Sequence, residues 1–251
     1  MRRDSLKEIA VLKELQDPSP QLNIVQLYDD FDYHNHLCMV LEPLDYDLEK
    51  AIYGERKGIE GKALGLETTK KFSRHIFRAL RHMKKLAIIH GDLKPANILV
   101  DAKAQVLKLC DYGQATKFSP AKPHLDVHLG SMWYRPPEII LSSVVNHGID
   151  VWQAAVVLFE CCTGKVMFPG KNNNDMLYLY QRCKGRFPSK IIKKSGEMLA
   201  KLKLPAYFDT EQKFLQMVND PSVPGKHLVK PWLVGDKPEV SLKSMLITPS
   251  L

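Results

Sequence analysis

The stretch His90-Gly91-Asp92-Leu93-Lys94-Pro95-Ala96-Asn97, followed by Asp111-Tyr112-Gly113, decides how this chain is read. It lies between a helical pattern and two short β-rich runs, so a loop presents Asp92, Lys94 and Asn97. A strand hairpin then presents Asp111, 19 residues after Asp92. Two carboxylates and an amide are oxygen donors, the set that Mg²⁺ takes beside phosphate oxygens. A lysine adds a compact positive charge for a migrating phosphoryl group. Any one such residue is ordinary in a loop. The ordered set at this spacing is not.

Outward from this centre, periodicity predicts the elements. A helix is expected over 4–15, capped by Asp4 or Ser5 and stopped by Asp17-Pro18-Ser19-Pro20. Runs at Ile24–Phe31 and Leu37–Leu41, joined by a polar connection around Asn35, predict a hairpin. Helical spacing of Phe72, Ile76, Phe77, Leu80 and Met83 predicts a helix over 67–86. Ile98–Val100 and Val106–Leu109 read as strands, Asp150–Cys162 as a core helix and Met176–Cys183 as another helix. After about Val218 five prolines appear without periodicity, and 219–251 is expected to be an irregular tail.

Composition narrows the class. With 251 residues, 45% hydrophobic and 25% charged, the chain is an ordinary globular sequence and not a collagenous or disordered one. The longest wholly apolar run, Ala154–Phe159, is far too short for a membrane span, and Met1-Arg2-Arg3-Asp4 lacks a secretion signal. A soluble intracellular protein with no membrane partner is expected. The net charge of +8 is spread as single and paired basic residues, which predicts a solvated surface and no direct nucleic-acid partner. Five cysteines without a C-x-x-C predict free thiols and no zinc site.

The motifs resemble those of protein kinases: the loop at 90–97, Asp111-Tyr112-Gly113, Gly130-Ser131-Met132-Trp133-Tyr134-Arg135-Pro136-Pro137-Glu138, and Asp150-Val151-Trp152. Lys94-Pro95 is the serine/threonine form of the loop. Within that family, His36–Leu44, Leu107–Asp111, Tyr134–Ile140, Gly148–Trp152, Thr163–Gly170 and Gly185–Lys190 resemble the pre-mRNA-splicing kinases (pre-mRNA processing factor four kinase), beside the dual-specificity tyrosine-regulated kinases. The likeness runs over residues 5–218.

The resemblance implies an α+β, protein-kinase-like fold, with a partial small β lobe and a mainly helical large lobe. It divides the chain at 1–44 (small lobe and hinge), 45–218 (large lobe) and 219–251 (tail). It implies ATP-dependent phosphoryl transfer to Ser/Thr hydroxyls of protein substrates, in the nucleus and among splicing-associated proteins. ATP and Mg²⁺ would be the cofactors. Asp92 would orient or deprotonate the substrate hydroxyl, Lys94 would sit on the γ-phosphate, and Ser131 would bond both. Asn97 and Asp111 would hold the metal ions. Leu41, Glu42 and Leu44 would form the adenine-facing hinge, Leu41 being also an ordinary core leucine. Glu8, on an apolar stripe with Val11, Leu12 and Leu15, would pair with a strand lysine.

Departures from the family pattern carry expectations of their own. No two of the 14 glycines are separated by one residue, so G-x-G is absent, and neither the strand lysine nor the arginine that would pair with Glu138 has a match. A fragment incomplete at both ends and weakly active is expected; the alternative is a pseudokinase or kinase fragment that binds proteins without turnover. Gly91 replaces the loop arginine that reads a phosphorylated activation segment, Met132 replaces another arginine, and His128 stands at a regulated tyrosine. Activity independent of phosphorylation there is therefore expected. Tyr112 replaces phenylalanine, which is mild if its hydroxyl finds a partner.

Overall fold

The computed structural model describes residues 2–16, 22–54, 61–119, 129–142, 145–219, 227–232 and 239–240. In chain order its elements are α1 (Arg2–Leu15), β1 (Leu27–Tyr33), β2 (His36–Leu41), β3 (Tyr46–Asp47), α2 (Leu48–Tyr53), α3 (Leu66–Lys85), β4 (Ile88–Ile89), β5 (Ile98–Val100), β6 (Leu107–Leu109) and β7 (Thr116–Lys117), then α4 (Pro137–Ile140), α5 (Gly148–Thr163), α6 (Asn173–Lys184), α7 (Ser189–Lys201), β8 (Phe214–Asn219) and β9 (His227–Trp232). Helices and short antiparallel strands mix along the chain, an α+β architecture. They form two compact units, one within 1–124, 129–134 and 145–167, the other within 125–128, 135–144 and 168–251.

In the first unit, Ile9, Leu12 and Leu15 bury the inner stripe of α1. β1 and β2 pair antiparallel through a two-residue turn, with His34 and Asn35 both at positive φ, as such a turn requires. The strand expected from Ile24 begins later. Residues 23–25 instead run beside β6, with the Val25 amide on the Leu109 carbonyl at 2.9 Å. α3 buries Phe72, Ile76, Ala79, Leu80 and Met83, and the four large side chains among them each contribute about 1.5–3 kcal/mol by leaving water. Phe77, expected on that stripe, is 42% exposed, because it lies one residue past Ile76 and so points off the face. α3 packs on α5 and on β6. β6 pairs with β5 and β5 with β3, so the loop at 90–97 leads into a short three-stranded sheet.

In the second unit, Asn172 caps α6 by accepting the Asp175 amide at 2.9 Å. Two elements correct the expectations. α7 has no counterpart among the expected helices; its buried face is only Ile192, Ser195 and Leu199, and Gly196 and paired lysines dilute that pattern. β9 lies in the segment expected to be irregular. It pairs with β8 from Phe214↔Trp232 to Asn219↔His227, and Trp232 packs on Phe214 and Tyr178. Pro231 is tolerated because each strand of a two-stranded ribbon has an outer edge that needs no donor. All five cysteines are free. Among the described residues no helix is long and apolar enough to cross a membrane.

Candidate active site

Every residue of the first cluster belongs to the first unit. The loop between β4 and β5 is held from below by the start of α5. Asp150, 3% exposed, accepts the His90 amide through Oδ2 and the Gly91 amide through Oδ1, each at 2.9 Å. Burial raises its carboxyl pKa against the lowering effect of His90 and those two amides. The His90 ring bonds the Cys110 carbonyl through Nε2 at 3.1 Å and lies 5.1 Å from the Tyr112 ring.

That frame places Asp92, whose side chain is 5% exposed. Its Oδ1 accepts the Ser131 amide at 2.7 Å. Its Oδ2 accepts Lys94 Nζ at 3.0 Å and Asn97 Nδ2 at 3.2 Å. Lys94 Nζ also donates to Ser131 Oγ at 3.1 Å, and Asn97 Nδ2 to the Asp92 carbonyl at 2.9 Å. Four of the residues singled out from sequence thus meet on one carboxylate. Charge-assisted donors of this kind are the strong ones.

Asp111 follows from the hairpin. The Cys110 amide donates to the Asn97 carbonyl at 3.1 Å, which ties the end of β6 to the loop. Asp111 is exposed, sits at φ +61°, and accepts the Gly113 amide at 3.3 Å. Burial pushes the neighbouring Cys110 thiol up to about 12, so it is no nucleophile. Tyr112 is 1% exposed and its hydroxyl donates to the Leu109 carbonyl at 3.1 Å, the partner that the tyrosine-for-phenylalanine change needs.

Glu8 faces this end of the site. Its Oε1 accepts the Tyr112 amide at 3.2 Å, and among the described residues no lysine or arginine pairs with it. Its carboxyl pKa is raised above 4.5, first by burial and then by the charge of Asp111. A raised acid favours the folded state below about pH 4.5, and that contribution is lost as pH rises through the folded value. Glu8→Gln keeps the acceptor for Tyr112 and removes the charge. It should melt slightly above wild type at pH 7 and lose that advantage toward pH 4.5. A lower melting point at pH 7 would show that the charge is stabilising.

Among the described residues no hydrogen bond joins the hinge candidates to the Asp92 cluster. Glu42 follows β2, and both its carboxylate oxygens accept Lys108 Nζ, at 2.6 and 2.7 Å. Its backbone amide donates to the Gln26 carbonyl at 2.9 Å. Leu44 is half-buried. Leu41 is 36% exposed, so the expectation of an ordinary core leucine is corrected: the two-stranded sheet leaves that side of β2 uncovered. Of the basic residues near the activation segment in sequence, Lys117 is paired with Glu14 and bonds the Leu86 carbonyl. Arg135, in the second unit, bonds Asn173 at 2.9 Å. Met132 is exposed, whereas Lys122 and His128 lie outside the described residues.

Three residues that sequence reasoning missed complete the frame: Gln153, Gln114 and Lys108. Gln114 Oε1 accepts the Gly130 amide at 2.9 Å, just before Ser131. No periodicity marks them, because each acts on backbone or charge far away in sequence.

The profile described as "Protein kinase domain" matches residues 1–228. The serine/threonine-protein kinase prpf4B of Dictyostelium discoideum is 38% identical over 201 residues, which is 78% of this chain and 24% of that protein. The serine/threonine-protein kinase prp4 of Schizosaccharomyces pombe is 36% identical over 225 residues, 88% of this chain and 44% of the relative. The human dual specificity tyrosine-phosphorylation-regulated kinase 3 is 33% identical over 196 residues, 77% of this chain and 32% of the relative. The chain therefore spans from about a quarter to less than half the length of these relatives.

Proposed function

The chain belongs to the protein kinase family, and from that premise we propose that it carries the phosphoryl-transfer centre of a serine/threonine kinase acting on protein substrates. The supporting observation is the single carboxylate of Asp92, held by Ser131, Lys94 and Asn97 at 2.7–3.2 Å. In this reading Asp92 orients the incoming Ser/Thr hydroxyl and takes up its proton. Lys94 places its ammonium where the transferring phosphoryl group would be, and Ser131 fixes both side chains.

Asn97 and Asp111 fit a hard cation. Both offer oxygens, and Asn97 commits its side-chain nitrogen to Asp92, so the amide oxygen is the atom that serves as ligand. Bound there, Mg²⁺ would neutralise charge on the ATP phosphates. Leu41, Glu42 and Leu44 would supply the adenine-facing edge, and the Lys108 pair steadies it. The resemblance to pre-mRNA-splicing kinases supports a nuclear site and splicing-associated substrates. It also supports the division of the chain at 1–44 and 45–218.

A second reading, a protein-binding module without turnover, is favoured by one observation: Glu8 faces Asp111 and no described cation. One assay separates the two. These 251 residues, given MgATP and a Ser/Thr peptide pool, should transfer phosphate measurably but far below the roughly 1–100 s⁻¹ of kinases, because the chain has no G-x-G cradle. Strict absence of transfer favours the module, and turnover within the kinase range contradicts the expected weak activity.

A further inference from the structure

Gln153 is fully buried, three residues or about one turn beyond Asp150 on α5, so both side chains reach the same strip of backbone. Its Nε2 donates to the Gly91 carbonyl at 2.9 Å, and its Oε1 accepts the Leu93 amide at 3.0 Å. The two residues so bonded flank Asp92. With Asp150 on the amides of His90 and Gly91, two side chains of one helix fix four backbone groups in three residues, His90, Gly91 and Leu93, on both sides of Asp92. A side-chain amide behaves here as an added peptide unit, donor and acceptor both used.

Two glycines border this clamp, and one of them, Gly130, makes room for the Gln153 amide. Gly91 lies at φ +83°, and a Cβ there would stand 3.0 Å from Leu129 Cδ1. Gly130 lies at φ +79°, and a Cβ there would stand 2.8 Å from Gln153 Nε2 and 2.9 Å from the Gly91 carbonyl. Gly130 also precedes Ser131, whose amide reaches Asp92 Oδ1. The Gln153 amide therefore sits in a slot bounded by both segments that hold the catalytic carboxylate. The arginine that the kinase resemblance places at position 91 would take a strained positive φ and press its Cβ on the end of the Leu129 side chain.

We propose that Gln153 is a positioning residue for Asp92, and that Gly91, Gly130 and Gln153 form one matched set that fixes the backbone on both sides of that residue. This rests on the reading of Asp92 as the group that handles the substrate hydroxyl. A displacement of about 1 Å in such a group can cost about 10²-fold in rate.

The test uses the 251-residue chain and the variants Gln153→Ala and Gln153→Glu. Hydrogen exchange at the Leu93 amide reads the clamp directly, and kcat and the KM for MgATP read its consequence. In Gln153→Ala, Leu93 exchange should quicken by about ten- to a hundredfold. Its kcat should fall by about 10²-fold with KM nearly unchanged. Gln153→Glu keeps the size and the acceptor, so Leu93 stays protected. Ionised, it sets a carboxylate oxygen against the Gly91 carbonyl; protonated, it can donate there as the glutamine does, so kcat should fall at high pH and recover as pH is lowered. Unchanged Leu93 exchange in the alanine variant overturns the clamp, and quickened exchange with unchanged kcat overturns its bearing on Asp92. Absence of transfer in the unmutated chain would fall on the proposed function instead, and the exchange measurement would still judge the clamp.

Discussion

Asparagine at position 92 is expected to lower phosphoryl transfer by about 10²–10⁴-fold, the usual worth of a positioned proton acceptor, while nucleotide affinity stays within about twofold. Asp92 receives three donors, from Ser131, Lys94 and Asn97. An asparagine can satisfy at most one side of that arrangement: its own NH₂ must point either at the Lys94 ammonium or at the Ser131 amide. The proton acceptor is gone in both orientations. Asp111→Asn should behave differently, weakening Mg²⁺-dependent nucleotide binding as well as rate, because Asp111 is the exposed oxygen donor beyond β6. Rate at saturating MgATP and nucleotide binding with and without EDTA separate the two. An Asp92→Asn chain as active as wild type removes Asp92 from the reaction.

The largest effect on stability is expected at Glu160. This residue of α5 is fully buried and accepts both the Tyr53 hydroxyl and, at 2.8 Å, the Tyr134 hydroxyl. Burial raises the carboxyl pKa, while the two tyrosine bonds oppose that rise. Both phenols are in turn pushed up, first of all by their own burial. Glu160→Ala leaves two hydroxyls buried without partners and a cavity beside them, a loss of about 3–5 kcal/mol. That corresponds to a melting-point drop of about 10 °C in a chain of this size. Glu160→Gln keeps an acceptor and a donor and sheds the desolvated charge, so it should melt near wild type. An alanine variant within about 2 °C of wild type would mean the network relaxes at little cost.

Much of the site is legible in the amino-acid sequence, for a specific reason. Asp92, Lys94 and Asn97 lie within six residues of one loop, so their spacing already implies that they meet, whereas among the described residues Asp111 makes no hydrogen bond to them and accepts the Gly113 amide. α3 is equally plain, since its buried side chains recur at helical intervals over 20 residues. Phe77 shows the limit of that reasoning: an aromatic beside the stripe looks as apolar as one on it. Gln153 is invisible because its partners, Gly91 and Leu93, lie about 60 residues earlier, and a lone glutamine in an apolar helix carries no pattern. The Lys108–Glu42 pair spans 66 residues and is hidden in the same way. β9 is obscured by composition. Prolines at 221, 224 and 231 suggest irregularity, while the force that forms the strand is the packing of Trp232 on Phe214 and Tyr178.

Passage of phosphate from ATP to a Ser/Thr hydroxyl at Asp92 is the central step of the proposed function. Its most direct test incubates the chain at high concentration with γ-labelled MgATP and a protein substrate, beside Asp92→Asn, then hydrolyses the product and separates its phosphoamino acids. The expected result is label in phosphoserine and phosphothreonine, none in phosphotyrosine, and at least about a hundredfold less in the variant. Equal labelling by the two chains, or label confined to tyrosine, would contradict it.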